Sequence, residues 1–331
     1  VLSRVADAVY WMNRYVERAE NVARFVDVNL NLMLDMPDGA DQQWAPLIAT
    51  TGDDALFREK YGTPTRASVL HFLTFDPGYS SSILSCLRSA RENARSVREI
   101  ISSEMWEQVN KAYLMVSSAA TRPDVLETPH DFYSEVKLAA HLFVGVTYIT
   151  MTHNEAWHFG RLGRLLERAD KTSRIVDVKY FLLLPDPQDV GSPYDEIQWA
   201  SLLKSASALE MYRKRFGRIE PVRVIEFLLL DRKFPRSMHY CVTKGERSLR
   251  AISGTTDDAP GTSAERELGR LRSELAGADI RQVVGGGLHE YLDAFQDKLN
   301  NVGQGIHDTF FALRPIEESR SSAATRRDSS Q

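Results

Sequence analysis

The sequence predicts an all-α fold: an elongated helical bundle built from an internal duplication, with its two halves related by a pseudo-twofold axis. Three observations carry that prediction. Residues 14–34, RYVERAENVARFVDVNLNLML, return 150 positions later as RLLERADKTSRIVDVKYFLLL, and a repeat requires each copy to form a similar unit. Apolar residues recur at three- and four-residue spacing almost throughout, the period of one helix face. No run of alternating apolar and polar residues lies between turn signals, so no strand is expected.

Taken in order, the first helix is expected over 3–35, where Trp11, Met12, Tyr15, Val16, Ala19, Val22, Ala23, Val26 and Leu30 form a broad apolar stripe. Further helices are expected near 41–51, 53–61, 65–75, 80–102, 104–119 and 130–151, then 154–184, 193–216, 221–230, 236–252, 264–277 and 288–313. Asp76-Pro77-Gly78 breaks the chain before a serine run that can cap the next helix. Asp231 to Pro235 does the same later, with Pro235 suited to a first helical turn. The repeat continues at a spacing of 155, with Trp44 opposite Trp199, Gly62 opposite Gly217 and Cys86 opposite Cys241. The expected organisation is a first repeat over 1–150, a second over 151–313 packed with it as one body, and a disordered polar tail over 314–331. TTDDAPGTS (255–263) reads as a flexible connection.

Composition narrows the function classes. A net charge of −4 gives no reason to expect a nucleic-acid binder. No apolar run reaches the 18 or so residues that span a bilayer, and residues 1 onward show no secretory leader, so no membrane association is expected. The two cysteines, Cys86 and Cys241, occupy matched positions and read as small core residues in a reducing cytoplasm.

Charged residues repeat along with the apolar ones. Arg14, Glu17, Arg18, Asn21 and Arg24 lie within about 120° of arc on the first helix, and Arg164, Glu167, Arg168, Lys171 and Arg174 take the same places in the second. Such stripes can form a buried salt-bridge network that fixes how the halves dock. They can also bind carboxylates or phosphates through guanidinium forks, or simply brace an exposed helix. A second constellation, Arg88 to Asn110, carries Arg91, Glu92, Asn93 and Arg95 at helical spacing. Glu155 and His158 make the Glu-x-x-His pair of di-iron bundles, but the second such pair is missing, so no metal and no cofactor are expected. Instead Asn154 or Thr152 is expected to cap that helix, with His158 hydrogen-bonded near its start. Gly285-Gly286-Gly287 reads as a bend between packed helices, with an anion nest as the alternative. No phosphate loop, dinucleotide fingerprint or nucleophile elbow is present.

Residues 1–313 resemble the bacterial alpha-E family, through LSRVADAVYWMNRYVERAENVAR, SARENARSVREIISSEMWEQVN, the RLGRLLERAD core between His153 and Asp170, and FPRS at 234–237. The resemblance implies a cytoplasmic protein encoded beside a circularly permuted ATP-grasp ligase, and often beside a transglutaminase-like peptidase. It therefore implies a part in making, modifying or trimming an amide- or peptide-linked product. Positions matching its signatures are Arg14, Glu17, Arg18, Arg91, Glu92, Asn93, Arg95, Glu167, Arg168 and Arg236. Three readings follow. The chain is an accessory subunit holding the ligase, or a carboxylate-bearing acceptor, through its Arg/Glu stripes. Alternatively, it is an enzyme acting on a small acidic or phosphorylated compound between the repeats, or a purely structural protein. The residues expected to carry binding are Arg14, Glu17, Arg18, Arg24, Arg91, Glu92, Asn93, Arg95, Arg164, Glu167, Arg168, Arg174 and Arg236.

Overall fold

A computed structural model describes residues 1–34, 44–49, 51–182, 193–256 and 260–312, and among these every regular element is helical. The first half holds α1 (Ser3–Leu34), α2 (Trp44–Ala49), α3 (Asp54–Tyr61), α4 (Arg66–Thr74), α5 (Ile83–Ser96), α6 (Ser103–Ala119) and α7 (His130–Thr150), with a 3-10 turn at Pro123–Leu126. The second holds α8 (Glu155–Leu182), α9 (Pro193–Ser205), α10 (Leu209–Phe216), α11 (Pro221–Leu230), α12 (Met238–Ser253), α13 (Ser263–Gly277), α14 (Ile280–Gly285) and α15 (Leu288–Ile306), closed by a π turn at His307–Phe311. The tail from 314, the segment 183–192 and part of the 255–263 connection lie outside the described residues.

Local chemistry sets the helix starts. Ser82 Oγ accepts from Ser85 N at 3.1 Å, and Ser237 Oγ accepts from Tyr240 N at 3.1 Å, so each serine satisfies an orphan amide of the first turn. Asn154 caps α8 through Trp157 N at 3.3 Å. Pro235 lies ahead of α12 rather than in its first turn, because Ser237 takes the capping place. The helix expected over 80–102 is shorter: α5 stops at Ser96, and Ser102 caps a new helix through Met105 N at 3.1 Å. The helix expected over 193–216 is two helices. Ser207 turns left-handed at φ 52°, Ala208 N reaches Leu203 O at 2.7 Å, and Ser207 N reaches Lys204 O at 2.9 Å. That bond pair is a Schellman stop, made here by a serine where a sequence reader looks for glycine.

Packing centres on α1 and α8, the most extensively touching pair in the molecule. Contacts climb both helices together. Gly160 meets Val9 and Asn13, Gly163 meets Tyr10 and Arg14, and Glu167 meets Arg14 and Arg18, so the two helices run parallel. The approach is close. A Cβ on Gly163 would lie 2.5 Å from the Tyr10 carbonyl oxygen, which only glycine permits. The apolar cores also cross over. Ala6 and Tyr10 of α1 pack with Phe159 and the core of the second half, while Ala156 and Trp157 of α8 pack with that of the first.

Candidate functional site

The facing surfaces of α1 and α8 bury their charges against each other. Arg18 donates to Glu167 through Nε at 2.6 Å and Nη2 at 2.9 Å, and Arg14 adds its Nε at 2.9 Å. In return Arg168 donates to Glu17 through Nε at 2.7 Å and Nη2 at 2.8 Å. Each glutamate thus receives a bidentate fork from the arginine beside its counterpart on the other helix. Glu17 is 3% and Glu167 0% exposed, so the network is internal. Arg236, from the segment before α12, joins it with Nη2 on Glu20 at 2.8 Å and Nη1 on Asn21 Oδ1 at 3.1 Å.

Titration follows from this geometry. Burial alone pushes the Glu167 carboxyl up, but Arg18, Arg14 and Lys171 outweigh it and hold the group well below its ordinary value. Glu17 is pulled down the same way, by Arg168 and Arg236 against burial. Both stay ionised near neutral pH with their oxygens occupied, which suits neither a general acid nor a nucleophile. Cys86 and Cys241 are pushed up by burial to about 12 and remain thiols.

The crossed glutamate–arginine pairs use the two dipeptides Glu17-Arg18 and Glu167-Arg168. The family described as a predicted alpha-helical domain with a conserved ER motif matches residues 1–311. The chain belongs to the Alpha-E family. An uncharacterized protein of Mycobacterium bovis is 24% identical over 94% of the chain, and one of Mycobacterium tuberculosis strain H37Rv is 23% identical over 94%. The Alpha-E chain spans 37% of the length of either relative. No solved structure matches it.

In this Alpha-E chain the structure brings most of the expected residues together and leaves others apart. Arg14, Glu17, Arg18, Glu167, Arg168 and Arg236 form the core network. Arg24 and Arg174 flank it, each on the acid one turn earlier, Glu20 and Asp170. Arg164 has no ion pair among the described residues. Arg91, Glu92, Asn93 and Arg95 belong to a different surface. Arg91 donates to Asn110 Oδ1 at 2.7 Å and lies over the Tyr113 ring at 5.1 Å, while Arg95 pairs with Glu92 at 2.5 Å.

Other expectations resolve locally. Asn154 makes the expected cap, but His158 does not find its expected bond at Nδ1, which is buried without a partner among the described residues. Gly287, at φ 108°, turns the chain from α14 into α15, and Glu290 Oε2 lies 2.2 Å from where a Cβ on it would stand. The glycine run is therefore a bend, with a carboxylate of the chain itself at the helix start. Among the described residues no group of three or more His, Cys, Asp or Glu has the arrangement to hold a metal ion. No helix among them is long and apolar enough to cross a membrane.

Sequence reading missed Glu20, Asp170 and Thr172, which complete the network; Thr172 Oγ1 donates to Arg236 O at 2.9 Å. It also missed two matched Asp–His pairs, His130 Nδ1 with Asp27 at 2.8 Å and His289 Nδ1 with Asp177 at 2.7 Å. The repeated Asp27 and Asp177 were the available signal. A cavity of about 230 Å³ adjoins the network between α1, α8 and α15, lined by Trp11, Arg14, Asp170, Asn300, Gln304 and His307 among others. Its charged walls are committed, Arg14 to Glu167 and Asp170 to Arg174, so it offers polarity without spare charge.

Proposed function

We propose that this Alpha-E chain is an accessory binding subunit of an ATP-grasp amide- or peptide-ligase system, with the two halves 1–150 and 151–313 acting as one body. The Glu–Arg core is its internal brace, and the partner docks elsewhere. The observation that carries this reading is a bare apolar stripe on α7. Leu138, Leu142 and Ile149 are 65%, 51% and 76% exposed, with Tyr148 beside them. Residues at that spacing share one helix face, and a contiguous exposed apolar face marks an interaction surface. Two further facts support it. The signature carboxylates are clamped and ionised, which removes them from acid–base work. The mycobacterial relatives carry more than half of their length outside the matched part, so in them this domain shares a chain with other sequence.

Co-purification with the ATP-grasp ligase encoded beside it, and a ligase assay with and without this chain, test the proposal. The expected result is a complex and altered turnover. Replacing Leu142 and Ile149 together by Glu should abolish the complex while leaving thermal stability nearly unchanged, because surface changes stay within about 0.5 kcal/mol. No complex together with unchanged turnover would overturn it.

A further inference from the structure

Among the described residues the Arg164 guanidinium, on the buried face of α8, has no carboxylate partner. Arg164 matches Arg14 in the repeat, but the place Arg14 takes on Glu167 is filled on Glu17 by Arg236, whose Nη1 lies 3.4 Å from Glu17 Oε1. With Arg168 and Asn21 also on Glu17, its Oε1 is crowded by three donors and its Oε2 is held by Arg168. Arg164 is half-buried and makes no hydrogen bond or ion pair among the described residues.

The helix packed over it supplies more positive charge. α8 and α12 run antiparallel: Arg161 Nη1 donates to Ser248 Oγ at 3.2 Å, Leu162 and Leu166 lie against Gly245, and Thr172 meets Arg236. That register sets Arg164 opposite the turn from Tyr240 to Lys244, and Arg161 opposite Arg247. Arg161 lies over the Trp157 ring at 5.4 Å and Lys244 over Tyr240 at 5.5 Å. None of Arg161, Arg164, Lys244 and Arg247 has a carboxylate partner among the described residues. The surplus is felt by the groups themselves. Desolvation and the Arg168 charge push Arg164 down to about 10, while Arg161 and Lys244 are lowered by burial and then by the Arg247 charge. His158, one turn before Arg161, is lowered by burial and by Arg161.

A half-buried guanidinium with no counterion is costly, and mutual repulsion adds to the cost. A lone carboxylate would neutralise one of the four cations. A compact, multiply charged oxyanion can meet several, and guanidinium forks match phosphoryl oxygens in shape. We propose that Arg161, Arg164, Lys244 and Arg247 form an anion site that takes the phosphoryl or diphosphate group of a small molecule, with the Tyr240 hydroxyl at its edge. The site stands whether or not a ligase docks on α7.

Calorimetric titration at constant ionic strength with inorganic pyrophosphate, orthophosphate and citrate tests it, with a thermal melt beside each. The wild-type chain should bind pyrophosphate at one site more tightly than citrate, and its melting temperature should rise. Orthophosphate binding as well would assign a single-phosphoryl site, and its failure a diphosphate site. Arg164→Met and Lys244→Met should each weaken pyrophosphate binding by about tenfold or more, the loss of one charge-assisted contact. Without anion, Arg164→Met should melt no lower than the wild type, since it removes an unpaired charge; a structural arginine would do the reverse. Should Arg164→Met fail to fold, Lys244→Met and Arg247→Met, on the outer side of the site, decide the matter by the same titration. Pyrophosphate binding no tighter than citrate, or unchanged in the variants, overturns the proposal.

Discussion

Replacing Glu167 by alanine isolates the energy of the crossed network. The side chain is 0% exposed and accepts three charge-assisted hydrogen bonds, from Arg14 Nε at 2.9 Å and from Arg18 Nε and Nη2 at 2.6 and 2.9 Å. Its removal leaves two guanidiniums facing each other over a cavity that water reaches poorly, with Lys171 Nζ, 3.7 Å from the lost carboxylate, adding a third charge. Breaking a buried pair costs about 3–5 kcal/mol, and two stranded arginines place this site at the upper end. Urea denaturation at neutral pH, followed by helical circular dichroism, reads the loss directly. The control is Arg270→Ala, whose pair with Glu267 is 71% and 44% exposed and should cost about 1 kcal/mol or less. Exchanging the charges, Arg18→Glu with Glu167→Arg, should recover part of the loss, because contacting residues couple by about 0.5–3 kcal/mol. A loss for Glu167→Ala no larger than that of the control would refute the claim that this network is internal and taut.

Gly163→Ala forces a methyl against the Tyr10 carbonyl and should separate α1 from α8, costing about 1–3 kcal/mol as overpacking does in the same urea assay. Acidification should destabilise the chain sharply. Glu17, Glu20 and Glu167 are lowered in the folded state, so their stabilisation is complete above their unfolded value near 4.5 and is lost as pH falls through the folded values. His289 has the opposite sign. Its hydrogen bond to Asp177 raises it, so its contribution is present below about 6.5 and lost as pH rises through the folded value; stability curves of His289→Ala and wild type should therefore converge on the alkaline side.

Much of this arrangement is legible in the sequence, and the reasons for what is not are physical. Helical periodicity gives the class, and the recurrence of the Arg14–Leu34 pattern brings α1 and α8 to attention, because both stretches carry the same apolar and charged stripes. The serine run after Asp76 and the Asp231–Pro235 break mark the starts of α5 and α12. The stop at Ser207 escapes notice because a left-handed turn normally signals through glycine. The partner of each charge is less legible still. Arg14 could as well have paired with Glu17, three residues on along its own helix, as with Glu167 across the interface, and spacing along one helix cannot tell these apart. Arg236 and Thr172 enter through tertiary approach alone. The isolation of Arg164 is a failure of symmetry, visible only once Arg236 is seen on Glu17.

Because each signature glutamate is neutralised by arginines of the opposite half, ownership of the counterions is crossed. A fragment ending before α8 would keep Arg14 and Arg18 but lose the carboxylate that quiets them, and the complementary fragment would strand Arg168 in the same way. Trimming off either half is therefore expected to destabilise the other, and a substitution at one dipeptide is felt first by the residues encoded some 150 codons away.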